Sequence, residues 1–201
     1  MRCLYEHLEY YGVSKKVIEA MNIIDRRLFV PDEYKDAAYY DTPLPIGYGQ
    51  TISAPHMVGI MCEYLCLQEG DSVLEIGTGS GYSAAVMSII VGKSGNVYTV
   101  EIVPELYKSA LERLSQLGLK NVHVILGDGK IGLEDYAPYD KISVTCYAKK
   151  IPPVLLQQLR DGGILVIPVG NEFVQTLKRV KKDGKHLVEE DLLNVRFVPM
   201  V

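Results

Sequence analysis

Glu75, Gly77, Gly79 and Gly81 stand at alternate positions in the stretch Val73-Leu74-Glu75-Ile76-Gly77-Thr78-Gly79-Ser80-Gly81-Tyr82. An apolar strand pattern runs directly into the glycines, and a helical pattern, Ser83 to Ile90, follows at once. Strand, tight turn and helix N-terminus in succession make a nucleotide site. Glycines let backbone N–H groups approach a ligand, and the helix dipole adds partial positive charge. A dinucleotide fingerprint needs glycine at its first, third and sixth positions, and the sixth here is Tyr82. What stands instead is Glu-x-Gly-x-Gly-x-Gly. Glu101 lies 24 residues beyond Gly77, at the end of the next strand pattern, with Ile102 after it. A carboxylate there can accept both hydroxyls of a ribose. Asp128, in Gly127-Asp128-Gly129, can accept from an adenine amino group, while Gly129 lets the backbone pass close to a ring. Other chemistries fit poorly. A nucleophile elbow needs glycine two positions either side of its serine, whereas Ser80 lies directly between Gly79 and Gly81. No Walker lysine follows the glycines, and the histidines lack ligand spacing, so no metal is expected.

These residues need a scaffold, and the chain supplies a βα alternation from Asp71 onward. Strands are expected at Val73–Ile76, Asn96–Glu101, Val122–Leu126, Lys141–Thr145 and Ile164–Gly170, with helices between them. The helix opening at Pro104 carries Leu106, Tyr107, Ala110, Leu111, Leu114 and Leu117 on one side, and Gly118 is placed to end it. Consecutive units of this kind predict a parallel, doubly wound sheet with its ligand beyond the carboxyl ends of the strands. After Gly170, Phe173–Val180, His186–Glu190 and Asn194–Met200 read as antiparallel edge strands. Their basic cluster around Lys178–Lys185 reads as a solvated hairpin tip rather than a nucleic-acid surface. Residues 1–30 read as two short helices, with Ser14 as an N-cap and Arg26 and Arg27 as surface charges. Tyr39–Met57 has no regular period and reads as a long ordered loop, the kind that carries function. Ser53 there either caps the following helix or takes part in chemistry, and His56 either packs or contacts a ligand.

The 201 residues make one domain with three parts: N-terminal helices and loop (1–70), binding core (71–170) and C-terminal strands (171–201). A hydrophobic share of 48% fills a core, and a net charge of −4 argues against nucleic acid or a membrane surface as partner. No apolar run approaches a membrane span, and the charged start of the chain is unlike a signal peptide, so a cytoplasmic monomer is expected. Cys62 and Cys66, four apart on a helix, read as two buried small apolar residues.

The glycine stretch resembles the first motif of AdoMet-dependent methyltransferases. The segment Asp41-Thr42-Pro43-Leu44-Pro45-Ile46-Gly47-Tyr48-Gly49-Gln50-Thr51-Ile52-Ser53, followed by Pro55-His56-Met57-Val58, closely resembles the protein-L-isoaspartate O-methyltransferase family, as do Ile167-Pro168-Val169-Gly170 and Phe197-Val198-Pro199. The resemblance implies a class I Rossmann-like fold and methyl transfer from AdoMet to the α-carboxyl of L-isoaspartyl residues in damaged proteins. The ester then closes to a succinimide that hydrolyses partly to aspartate, and S-adenosyl-L-homocysteine is released. It implies Ser53 as the active-site hydroxyl. It also implies Gln50, Thr51, Ile52, His56, Glu75, Gly77, Thr78, Gly79, Ser80, Glu101, Ile102, Asp128 and Gly129 against the cofactor.

Thr145-Cys146-Tyr147-Ala148 departs from the small run expected after strand four, so Tyr147 either narrows the site or turns outward. Some members of that family continue with a C-terminal segment; with Val201 directly after the last strand, no cofactor or lid contact from such a segment is expected here. From the residues alone two rivals stay open. One is a class I methyltransferase acting on a small molecule or RNA, and the other is a non-catalytic AdoMet- or NAD-binding module.

Overall fold

A computed structural model describes residues 5–201, so Cys3 and the charged start of the chain lie outside the described residues. The chain opens with a 3-10 turn, Glu6–Tyr11, and then helix α1, Lys15–Ile23. Ser14 holds the N-cap position of α1, but its hydroxyl caps nothing; its backbone N–H donates to Glu63 Oε2 at 2.9 Å. Arg26 is not a surface charge. It is fully buried, with Nε donating to the Ala38 carbonyl at 2.8 Å and the guanidinium 5.0 Å from the centre of the Tyr82 ring. The Tyr39–Met57 stretch contains a small hairpin, β1 (Leu44–Gly47) and β2 (Gln50–Ile52), rather than loop alone. Its tip turns through positive φ at Gly47, Tyr48 and Gly49. Pro45 and the short strands hide the alternation from which a hairpin is read.

Helix α2, Pro55–Leu65, starts on a proline whose missing N–H costs nothing at a first turn. It ends at Cys66 in the left-handed conformation, which turns Cys66 outward while Cys62 stays buried. The two cysteines therefore do not share a buried face. Then come β3 (Ser72–Ile76), α3 (Tyr82–Val91), β4 (Asn96–Glu101), α4 (Pro104–Gln116), β5 (Val122–Leu126), β6 (Tyr139–Val144), α5 (Pro153–Gln158), β7 (Leu159–Gly170), β8 (Gln175–Asp183) and β9 (His186–Val195). Seven strands form one sheet in the order β5-β4-β3-β6-β7-β8-β9. The first five run parallel, and β8 and β9 add antiparallel edges.

Helices α1, α2, α3 and α4 pack over one face, where α3 is buried almost all round. Leu155 of α5 joins Leu74, Ile142, Leu165 and Ile167 in the cluster on the other. The strand order reverses between β3 and β6, and that switch point opens a crevice at the carboxyl ends of both. The basic hairpin is tied down. Lys178 pairs with Asp191, Arg179 pairs with Glu190, and Lys182 Nζ donates to the carbonyls of Leu156 and Leu159.

Asn194–Met200 is not a third antiparallel strand: Asn194 and Val195 end β9, and Arg196–Met200 leaves the sheet. Its Pro199 has no N–H to give to a ladder. The segment crosses the strand ends instead: Tyr147 N–H donates to the Val198 carbonyl at 2.8 Å and Met200 N–H to the Tyr147 carbonyl at 2.9 Å. No described helix is long and apolar enough to cross a membrane.

Candidate active site

The crevice is set by one side chain on each side of the switch point. Thr145, just past β6, donates its hydroxyl towards the carbonyls of Gly77 (2.7 Å) and Ile76 (3.0 Å), holding the glycine turn at the end of β3. Gly77 is required there: its φ is +97°, and a Cβ would lie 2.4 Å from Thr145 Oγ1. From the far side of the turn, Arg113 Nη1 donates to the Ser80 carbonyl at 2.8 Å.

Four of the turn's N–H groups, those of Gly77, Thr78, Gly79 and Gly81, are not free for a ligand, contrary to the expectation from its glycines. Gly77 and Thr78 donate to the Val100 carbonyl, Gly81 donates to that of Thr78, and Gly79 donates to Glu101 Oε2 at 2.7 Å. A pyrophosphate needs such groups unpaired. Their engagement disfavours a dinucleotide on physical grounds independent of Tyr82, and suits a ligand that is cationic rather than anionic. Glu101 Oε1 accepts from Ile102 and Val103 N–H, both at 3.0 Å. With two acceptor directions per oxygen, only Oε2 retains one for a ligand donor. Acceptance of two ribose hydroxyls, one on each oxygen, would first require a backbone N–H to be released.

Two cavities share Gln50, Gly77 and Cys146 and make one elongated trough. Thr51, Ile52, Ser53, Thr78, Gly79 and Ser80 line one end. Glu101, Ile102 and Gly129 line the other, with Pro199, Met200 and Val201 laid over them. Pro199, Met200 and Val201 thus wall the site, although none of them is among the expected site residues. Val58, Tyr82 and Ser83 also line the trough and are not among the expected site residues; Thr145 lines it too, at the end of the expected strand Lys141–Thr145 and so at the carboxyl end of a central strand, where a ligand is expected.

Three expected residues lie elsewhere. Glu75 is fully buried beneath the turn and lines no cavity. Burial pushes its carboxyl up to about 7, against the lowering effect of the Thr99 and Ser83 hydroxyls. Asp128 also lines none of the three cavities; its carboxylate accepts the Lys130 N–H at 2.8 Å and so shapes the turn that presents Gly129. His56 borders a third cavity, on the far side of Ser53. Its ring Nδ1 lies 2.8 Å from Asp41 Oδ1 and stacks on Tyr11 at 5.1 Å.

That third cavity is an open space of about 980 Å³, against about 530 and 410 Å³ in the trough, and is walled by Pro43, His56, Met57 and Asn194–Val198. Thr51, Ser53, Thr145 and Val198 line both it and the trough. Ser53 does not cap α2, whose N-cap is Ala54. The first-turn N–H groups of α2 are not available either: Pro55 has none, His56 N donates to Asp41, and Met57 N donates to the Ala54 carbonyl. The side-chain hydroxyl of Ser53 makes no hydrogen bond to the described residues and stands between the two spaces.

Comparison with known proteins gives the family. The profile of the family Protein-L-isoaspartate(D-aspartate) O-methyltransferase (PCMT) matches residues 2–201. A protein-L-isoaspartate O-methyltransferase of Fervidobacterium nodosum is 66% identical over 197 residues, which is 98% of this chain and 99% of the relative. A solved protein-L-isoaspartate O-methyltransferase superposes with a TM-score of 0.92 at 34% identity, covering 98% of this chain and 64% of the other. A candidate enzyme of the same name from Plasmodium falciparum, solved in complex with S-adenosyl-L-homocysteine, gives a TM-score of 0.86 at 28% identity over 98% of this chain and 96% of that one. The chain belongs to the protein-L-isoaspartate O-methyltransferase family, AdoMet-dependent enzymes that methylate L-isoaspartyl residues of damaged proteins.

Proposed function

We propose that the trough holds AdoMet and that Ser53 aligns the isoaspartyl α-carboxylate, entering from the third cavity, for methyl transfer. The observation that carries this reading is the position of Ser53, whose uncommitted hydroxyl lines both spaces. The donor set suits the nucleoside: Glu101 keeps one acceptor direction for a ribose hydroxyl, and Ile102 and Gly129 offer an apolar slot for adenine. The engaged N–H groups of the turn keep positive dipole ends away from a cationic methionine portion. When bound, AdoMet supplies a methyl group on a sulfonium, an electrophile that needs no metal.

The residues then have little to do beyond placement. An α-carboxyl of pKa about 4 is ionised at neutral pH, so no general base is needed. Ser53 donates one hydrogen bond, which holds the carboxylate without neutralising it. Among the described residues, Arg196 is the one lysine or arginine in the cavity walls, and it lines only the third cavity. The attacking oxygen therefore keeps its nucleophilicity, and the rate gain comes from proximity and orientation. His56, fixed by Asp41, borders the peptide rather than the cofactor. The free thiols of Cys62, Cys66 and Cys146 support a reducing, cytoplasmic setting, and a monomer is proposed with it.

The test is methyl transfer from labelled AdoMet to two peptides differing only in isoaspartate or aspartate at one position. Labelling of the isoaspartyl peptide alone is expected. Labelling of neither, with AdoMet still bound, would move the acceptor to another class.

A further inference from the structure

The end of β9 and the strap beyond it, Arg196–Val201, wall all three cavities: Asn194–Phe197 face the third, Val198 the third and the trough, and Pro199–Val201 the end of the trough beside Glu101. A segment with a proline and without a ladder partner has little order of its own. Two groups supply it. One is the backbone of Tyr147, which exchanges hydrogen bonds with Val198 and Met200. The other is a side chain. Gln175, at the start of β8 and 2% exposed, accepts the Phe197 N–H on Oε1 at 2.7 Å and donates Nε2 to the Phe197 carbonyl at 3.1 Å. Its own backbone pairs with Val195, the last residue of β9. The carboxamide therefore does two residues later what a neighbouring strand would do, offering one donor and one acceptor to a chain that has left the sheet.

We propose that Gln175 is a positioning residue for methyl transfer, acting through Phe197 to hold Val198 at the boundary between cofactor and peptide. This rests on the assignment of trough and third cavity given above. Gln175 touches no cavity and no reacting atom. Loss of its two bonds frees the strap between Val195 and Tyr147, and both cavities lose a wall together. The signature is a coupled weakening of AdoMet and of isoaspartyl peptide with the chemical step intact, because the start of α2 next to Ser53 and the glycine turn are held separately, the first by Asp41 through the His56 N–H and the second by Thr145.

Two variants test it. Gln175→Met keeps the length and volume and removes both bonds. It is expected to raise the Kd of AdoMet, by equilibrium dialysis, and the KM of the peptide each by about tenfold, with kcat within about threefold of wild type. Gln175→Glu is a titratable mimic: the protonated acid offers the same donor and acceptor, and the carboxylate loses the donor. Its peptide KM is expected near the wild-type value at about pH 5.5 and near that of Gln175→Met at about pH 8, while the wild-type KM stays flat. Hydrogen exchange at Phe197 and Met200 should quicken in step. Unchanged Kd and KM in Gln175→Met, or a Gln175→Glu variant whose KM follows wild type at both pH values, would overturn the proposal. If Gln175→Met does not fold, the pH response of Gln175→Glu decides. If wild type methylates no isoaspartyl peptide, the site assignment fails instead, and the AdoMet Kd still reports on the strap.

Discussion

Thr78 in the glycine turn and Glu75 beneath it are joined through one hydroxyl. Thr99 Oγ1 donates to Glu75 Oε2 at 2.6 Å and so accepts from Thr78 Oγ1, 2.7 Å away. The motif's acid is thus a buried support of the turn. Its carboxyl is pushed up to about 7 by burial, against about 4.3 in an unfolded chain. Between those values the folded state binds more protons than the unfolded one, so this group's contribution to stability is full below about pH 4.3, falls as pH rises, and is gone above about 7. The loss amounts to about 4 kcal/mol. Glu75→Gln removes the titration. The melting temperature of the variant relative to wild type should therefore improve steadily from about pH 5 to about pH 8. A difference that stays constant with pH would show that Glu75 is not protonated in the native state.

Ser53→Ala removes a hydroxyl that neither caps a helix nor bonds to the described residues. Folding and AdoMet binding should be unaffected, and kcat/KM for the isoaspartyl peptide should fall by about a hundredfold or more, as expected for a lost orienting contact. Equilibrium dialysis with AdoMet beside the methyl-transfer assay separates the two effects. Loss of AdoMet binding with Ser53→Ala would mean that the serine holds cofactor rather than acceptor.

Gly77→Ala meets two penalties, a φ of +97° and a Cβ 2.4 Å from Thr145 Oγ1. The first costs about 1 kcal/mol and the second forces Thr145 off its two carbonyls, so a total of about 2–4 kcal/mol is expected in urea unfolding. AdoMet affinity should drop with it, since the turn itself moves. A Gly77→Ala variant of wild-type stability would show that the turn relaxes without Thr145.

How much of this was legible in the sequence depended on whether local pattern or tertiary contact decided each feature. The ends of β4 and β5 fall at Glu101 and Leu126, as the helix start at Pro104 and Gly127 predict. The glycine spacing likewise places Gly77–Ser80 on the trough. Arg26 failed because nothing local marks a cation for burial; it is the Tyr5 and Tyr82 rings and the Ala38 carbonyl, distant in sequence, that receive it. The strap failed for the same reason. Its apolar residues look like a strand, and only Gln175 and Tyr147 show that it crosses the sheet instead. The use of the turn's own N–H groups was hidden too, because a Gly-x-Gly spacing does not say where β4 ends in space.

Asp41 ties the start of the hairpin to the start of α2, accepting both the His56 backbone N–H (2.9 Å) and its ring Nδ1 (2.8 Å). It serves as a remote cap where Ala54 has no side chain to do so. Burial alone would raise its carboxyl, but the two His56 contacts outweigh that and hold it below the usual carboxylate value. The stability it contributes is therefore present above about pH 4 and is lost as pH falls further. Asp41→Ala should cost about 1–2 kcal/mol at neutral pH. Asp41→Asn, which still offers an acceptor to the His56 N–H, should cost less. Because Ser53 lies between the hairpin and α2, both changes should also raise the KM of the isoaspartyl peptide in the order Asn then Ala, while AdoMet Kd stays within about twofold. Equal effects of the two substitutions would mean that the charge on Asp41, rather than its acceptor oxygen at the helix start, positions Ser53.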